Sequence, residues 1–443
     1  GGAQGFSENR LDKVIETAKA MKKRRGVDFT SADHDRLQDI FQKNSINYGW
    51  VMVVVVFTLS GLAFGSMASI SVFLKPVSLE FDWSRGQTSF AYTVASFSSA
   101  AFGVFWGYVA DKYGTKWFGL AGAVSMGFIL FSLSSLDSIY KFYLLYFLFG
   151  AFGSALLFSP LYANVGFWFR ENPGLALGIA ASGGAVGQAF IPHISGILIE
   201  ASGWRDAYIY LALIYLAISL PIALLIQESP WREGARQDKE TEERDFPLSE
   251  KVVVAWISFA VIFCCVCMSV PIMHLVPLLT DKGFSLEFST FVLMLLMICG
   301  AFGRIFGGML GDYIGALPGY ILMSLGQTIF VVWFPHLVSP LGIYLIAALF
   351  GFTYSGVMSS ILVCTRMMVS AKFGARAMSI TSFFGWIGMG LGGFLGGYLF
   401  DIYGDYTLAF TIAGISGIIN LIILTIFFLQ IRRNSNPSIE FQS

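Results

Sequence analysis

The sequence predicts an all-α membrane protein: twelve transmembrane helices in two six-helix pseudo-symmetric bundles. Three observations predict it. Hydrophobic residues make up 56% of the 443 and charged residues only 13%, with much of the charge in the first 45 residues and one central stretch. Apolar stretches of about 20 residues, the length that crosses a bilayer, recur along the chain. The chain also reads twice at a constant offset. Such a composition excludes a soluble domain around one core, and the alternating ten-residue segments of a barrel are not present.

The spans fall at about 47–75, 86–110, 117–136, 139–168, 174–200, 205–227, 252–280, 286–310, 316–337, 340–369, 375–400 and 406–431. They divide the chain into a tail (1–46), a first bundle (47–227), a linker (228–250), a second bundle (251–431) and a short C-terminal tail (432–443). Basic residues orient it. Arg10, Lys13, Lys19, Lys22, Lys23, Arg24, Arg25, Arg36 and Lys43, the turns at Lys112/Lys116, Arg170 and Lys372/Arg376, the linker, and Arg432/Arg433 share one side. The other side has little beyond Lys75, Arg85, Lys141, Arg205 and Lys282. The positive-inside rule then places both termini in the cytoplasm of a multi-pass plasma membrane protein. No apolar signal-peptide core precedes Trp50. Zero net charge gives no reason to expect nucleic acid.

The repeat has an offset of 201 positions. Leu148-Phe149-Gly150 returns as Leu349-Phe350-Gly351, Gly107-x-x-x-Asp111 as Gly308-x-x-x-Asp312, Leu74-x-Pro76 as Leu275-x-Pro277, Trp83-Ser84 as Phe284-Ser285, and Glu200-x-x-Gly203 as Asp401-x-x-Gly404. Two halves in parallel register place a substrate site between them near the midplane and alternate access by rocking.

The repeat also tests which polar residues the fold itself requires. Arg304 lies in the apolar stretch Cys299–Asp312, and its counterpart is Gly103, or Val104 by the local match of Ala101-Phe102-Gly103 with Ala301-Phe302-Gly303. Neither is charged, so the helix does not need an arginine there. Eight residues before Asp312, Arg304 sits about 12 Å from the turn at ~1.5 Å per residue. A charge at that depth costs about 3 kcal/mol or more and faces a bundle interior or a watery cavity. Gly300 and Gly308 flank it on its own helix face, leaving the guanidinium approachable. No acid occurs mid-span; Glu200, Asp281, Glu287 and Asp401 all sit at span ends. The expected counter-ion is a substrate carboxylate in a two-pronged hydrogen bond; the competing reading has the arginine snorkelling to water or bonded to carbonyls.

His274 is a second departure, since its repeat mate is Phe73. Histidine titrates near neutral pH, so His274 is a candidate both for contacting the carboxylate and for carrying a coupling proton, set against a plain packing role. His193, beside Pro192, ranks below it. Tyr162, Tyr354 and Asn164 are further candidates for the cavity wall, although most aromatics here must face lipid or core. Gly107, Asp111 and Lys112, with Gly308 and Asp312, read as a conformational latch: small residues let helices close up, and the acid pairs with a basic group or a helix end.

Cys264, Cys265, Cys267, Cys299 and Cys364 lie in apolar spans without a clustered acid or histidine, so neither a disulfide nor a metal is expected, nor any other cofactor. Leu11, Val14, Ile15, Ala18 and Met21 fit a short amphipathic helix whose following basic run suits either anionic lipid or free solution. The mixed-charge linker reads as a solvated connector.

These residues carry a resemblance. The turn Gly107-x-x-x-Asp111-Lys112-x-Gly114, repeated in the second half, resembles the major facilitator superfamily over residues 47–431. The run Gly174-Leu-Ala-Leu-Gly178-Ile-Ala-Ala-Ser-Gly183-Gly-Ala-Val-Gly187, with Gly203-Trp204-Arg205 and Asp401-Ile-Tyr-Gly-Asp405-Tyr, is similar to the monocarboxylate transporter family and its bacterial relatives. The resemblance implies proton-linked movement of small monocarboxylates such as lactate or pyruvate, with Arg304 in the place of the family's eighth-helix anion partner. Animal members carry an aspartate where this chain has Gly300 and a first-helix lysine where Ala68 precedes Ser69, and Asn47-Tyr48-Gly49-Trp50 keeps only part of the first-helix motif. Anion binding therefore carries over more fully than proton coupling. Bacterial members often lack that pair, so the resemblance implies a bacterial inner-membrane protein.

The reading is a secondary active carrier, not an enzyme: a proton-coupled monocarboxylate symporter working by alternating access as a monomer in the bilayer. One core arginine suits one carboxylate, whereas an oxalate/formate-like exchanger is expected to offer a second core cation, and the eleventh span has only Arg376 at its edge. No nucleotide-binding loop is present. Abundant Phe and Met keep an exporter of larger amphipathic compounds as the alternative; a non-transporting membrane sensor lacks a segment able to hold a signalling domain.

Overall fold

Apolar spans become helices because a backbone in lipid must satisfy its own hydrogen bonds. The computed structural model describes residues 15–22, 30–157, 159–169, 173–229, 246–369 and 371–435, without a number of side chains inside the helices, among them those of Arg36, Lys43, Asp111, Lys112, Asp312, Lys372 and Arg376. The calls on those side chains, on Arg170, on linker residues 230–245 and on tail residues 1–14, 23–29 and 436–443 therefore lie outside the described residues.

The helices are α1 (Ser31–Ala68, continued by Ile70–Phe81), α2 (Arg85–Tyr113), α3 (Lys116–Leu133), α4 (Ile139–Leu148, a π-helical turn at Phe149–Ser154, Ala155–Leu157 and Ser159–Trp168), α5 (Pro173–Ser202), α6 (Trp204–Ala223), α7 (Glu250–Asp281), α8 (Leu286–Ile314), α9 (Ala316–Val331), α10 (Pro340–Met367), α11 (Ala371–Tyr403) and α12 (Thr407–Ser435). Among the described residues eleven helices are long and apolar enough to cross a membrane. The remaining one, α5, carries Gln188, Pro192 and His193.

Helix α1 begins earlier than hydropathy indicates. Thr30 accepts the N–H of Asp33 while the Asp33 carboxylate accepts the N–H of Thr30 at 2.9 Å, a capping box that starts the helix at Ser31 within the expected tail. Residue 47 marks where the chain turns apolar, not where it turns helical.

The repeat survives at atomic detail. Helices α2 and α8 have bounds 201 residues apart. The left-handed residues Asp82, Gly114 and Gly203 recur as Gly283, Gly315 and Gly404, and the capping serines Ser84 and Ser138 recur as Ser285 and Ser339. Packing repeats likewise: α1 on α5 matches α7 on α11, α2 on α4 matches α8 on α10, and α3 on α6 matches α9 on α12. A Cβ on Gly187 would collide with the Gly61 carbonyl, and one on Gly303 with the Phe352 carbonyl. These close crossings hold α5 on α1 and α10 on α8.

The halves meet through α2 on α11, α5 on α8 and Ile70–Phe81 against α7. The meeting is lopsided. At the end away from the termini, Arg85 of α2 grips Asp281 of α7, and Lys75 adds a 2.9 Å ion pair to the same carboxylate. Asp401 accepts the backbone N–H groups of Arg85 and Gly86 at 2.8 and 2.6 Å, and its repeat mate Glu200 accepts that of Glu287 at 3.1 Å. Each half thus places an acid on the positive N-terminus of a helix in the other. Towards the termini, Gly103, Gly107, Gly178 and Gly308 have open space among the described residues where a Cβ would stand. Gly107 and Gly308, the glycines of the expected latch, therefore do not close up on a described neighbour in this conformation.

Candidate anion site

Arg304 stands where the closed part of the interface gives way to the open part. Gly300 and Gly303 bring α10 against α8, so the Arg304 Nε–H donates to the Ser355 hydroxyl at 3.0 Å. One Nη1–H reaches across to the other half and donates to the Ala181 carbonyl of α5 at 2.9 Å. One turn nearer the termini, Gly178 and Gly308 face open space. Of about five guanidinium N–H donors, two are engaged; the rest lie on Nη1 and Nη2, the edge that grips a carboxylate in two prongs. Among the described residues no carboxylate pairs with it.

Both readings of Arg304, a substrate carboxylate as counter-ion and a guanidinium bonded to carbonyls, have a place in this geometry. Protein oxygens hold one edge of the group and fix its direction, while the other edge stays half-exposed. An arginine anchored in this way is pre-organised, and less entropy is lost when an anion arrives.

Two of the expected residues gather here. Tyr162 of α4 is half-buried, near Ser60 of α1 and within electrostatic reach of Arg304. Tyr354 of α10 is buried beside Ser355, stacks on Phe350 and bonds the Met297 sulfur at 3.0 Å; it also feels the Arg304 charge. Phe64 packs against Gly184, one turn along α5 from Ala181, and lies parallel to Trp386 of α11 with centroids 6.3 Å apart. That pair crosses between the halves on the closed side of Arg304.

Two others are elsewhere. Asn164 is buried at the end of α4, where its amide donates to the Gln227 carbonyl at 2.8 Å and its oxygen accepts the Ser229 N–H at 3.2 Å. It ties the end of α4 to the segment that follows α6 and does not face the cavity. His274 is sealed between α7 and α11 with no exposure, bonded to the Gly393 carbonyl, and so is not a substrate contact in this conformation. His193 lies at the α5–α8 contact, 3.1 Å from the Thr290 hydroxyl.

Sequence reasoning missed Ser355, Ala181, Phe64 and Trp386. Serine, alanine and phenylalanine are unremarkable in a span, and the functional atom of Ala181 is a carbonyl. The Arg85–Asp281 clamp was also missed, although its members are charges at span ends facing the same side of the membrane.

The chain matches the sequence profile of the Major Facilitator Superfamily over residues 56–368. It is 28% identical over 410 residues to "Monocarboxylate transporter 13" of Bos taurus, covering 88% of this chain and 92% of that one. It is 25% identical over 428 residues to "Monocarboxylate transporter 12" of Xenopus laevis, covering 88% and 91%. Among solved structures it is similar in fold to a bacterial homolog of the human lysosomal transporter Spinster in an inward-facing, occupied conformation, with a TM-score of 0.65, 14% identity and coverage of 86% and 96%. The chain therefore belongs to the Major Facilitator Superfamily: it is a multi-pass membrane transporter and not an enzyme.

Proposed function

We propose that this transporter is a secondary active carrier for a small monocarboxylate of the lactate and pyruvate class, moved together with a proton by alternating access. The observation that carries the reading is Arg304: a charge absent from its repeat position, anchored on one edge by Ser355 and Ala181 and left open on the other towards the gap between the halves. The names of its similar relatives support the same substrate class. Tyr162 and Tyr354 supply the nearby walls, and Phe64 with Trp386 closes the far side of the site.

In this reading the termini-bearing end lies in the cytoplasm of a plasma-membrane protein that functions as a monomer, and the structure is its inward-facing state. The Gly107–Asp111–Lys112 and Gly308–Asp312 turns then act as the latch that closes that end in the opposite state.

The test is uptake by the purified protein in liposomes under an imposed pH gradient, with lactate, pyruvate, oxalate and a lipophilic cation as solutes. Acid outside should stimulate uptake of a monocarboxylate, and Arg304→Ala should abolish it. Undiminished transport by that variant sinks the proposal, and preferential movement of the lipophilic cation favours the exporter instead.

A further inference from the structure

A second group of ionisable side chains closes the end opposite the termini, and one member is not required by packing. His274 is fully buried in α7. Its Nε2 lies 2.7 Å from the Gly393 carbonyl of α11, which can only accept, so Nε2 carries the hydrogen. Nδ1 is buried and has no hydrogen-bond partner. Gly396 lets α11 lie against the ring, and Tyr406 covers it with centroids 5.1 Å apart. In the first half the equivalent residue, Phe73, stacks on Tyr208 at 3.8 Å. An apolar ring fills the equivalent place, and the fold does not need a nitrogen there.

Tyr406 connects this histidine to the clamp. Its hydroxyl accepts from Arg85 at 2.9 Å while the Arg85 guanidinium also binds Asp281 and lies 3.8 Å over the Phe400 ring. The charged groups acting on His274 are Arg85 from α2 and Asp401 from α11. Asp281, seven residues along its own helix, is held by Arg85 and by Lys75 of α1, and Tyr92 of α2 packs at Gly393. A protonated imidazole donates from both nitrogens. With the clamp shut, Nδ1 has no acceptor and the nearby guanidinium repels a second positive charge. A proton is accommodated only when the halves part at this end and water reaches the ring.

We propose that His274 is a proton-binding site controlled by the Arg85–Asp281–Tyr406 clamp, so that protonation favours opening at the end away from the termini. Linkage makes the relation reciprocal: acid on that side shifts the population towards the open state, by at most about tenfold per pH unit for one proton. The proposal builds on the transport reading but concerns a different residue and a different readout.

Spin labels at Tyr140 and Leu341, exposed repeat mates at the clamped ends of α4 and α10, report the separation of the halves by electron paramagnetic resonance. Between pH 8 and pH 5 the labelled protein should shift towards longer distances. His274→Phe, the side chain of its repeat mate, should keep the short distance at both pH values, and His274→Gln provides a second non-titrating variant if phenylalanine misfolds. Asp281→Asn should lengthen distances at every pH while keeping the acid response. A distance distribution that ignores pH in the parent, or an acid response intact in His274→Phe and His274→Gln but lost in Asp281→Asn, overturns the proposal. Monocarboxylate uptake measured on the same variants separates this outcome from failure of the transport reading, which depends on Arg304.

Discussion

Arg304 is informative because its direction is set by the protein. Arg304→Lys keeps the charge but loses the planar fork that bonds Ser355, Ala181 and an anion together. Uptake at limiting substrate should fall about tenfold or more, in keeping with ~1.5–3 kcal/mol for a hydrogen bond to a charged group. Ser355→Ala removes only the anchor at Nε. Its expected effect is a rise of about three- to tenfold in the apparent KM with a smaller change in kcat, because the charge remains and its aim is lost; an unchanged KM would show that Ala181 alone orients the group. Outside the membrane spans, Asp33 is held down to about 2 by Lys22 and by the Thr30 groups of its capping box, which keeps the start of α1 capped at every physiological pH.

At the scale of helices, glycine does two different jobs. Gly187 has no room, since its Cα faces the Gly61 carbonyl, whereas Gly107 faces open space. Gly187→Leu should therefore destabilise the first bundle by about 3 kcal/mol or more through overpacking, seen as lost expression and a lowered Tm. Gly107→Leu should leave Tm nearly unchanged and still depress transport, because the side chain fills the space into which the halves must close. Normal uptake by Gly107→Leu would remove the latch role from that turn. Both residues lie in stretches marked by the sequence, one in the Gly174–Gly187 run and one in the repeated turn. Only the contacts separate a glycine with no room for a side chain from one that has open space beside it.

Across the whole molecule, closure at one end and opening at the other come from the same symmetry. Asp401 on the start of α2 and Glu200 on the start of α8 are repeat mates, so both inter-half seams shut together. A second pair of acidic repeat mates diverges: Asp281 joins Arg85 and Lys75 between the halves, while Glu80 stays within its own half on Arg205 at 2.7 Å. Thr93 of α2 donates to the Gly390 carbonyl of α11 at 2.7 Å, and a Cβ on Gly390 would stand 3.3 Å from the Ser96 Cβ of α2, near the separation a disulfide needs. In a background without the five native cysteines, oxidation of Ser96→Cys/Gly390→Cys should arrest uptake and a reductant should restore it. Transport that continues through the cross-link would mean this seam does not open in the cycle.

The twelve spans, the repeat and the unmatched Arg304 and His274 were legible in the sequence. Bilayer thickness sets helix length, and an offset of 201 lets one half serve as the control for the other. Which polar residues meet was not legible. Ser355 and Ala181 come to Arg304 only because glycine crossings set the height of α10 and the closed α5–α8 seam sets that of α5. Asn164 and His274 are drawn away by carbonyls from distant parts of the chain. Local periodicity decides that a residue lies in a helix, but the partner it faces depends on how the helices cross and on which end of the two halves is closed.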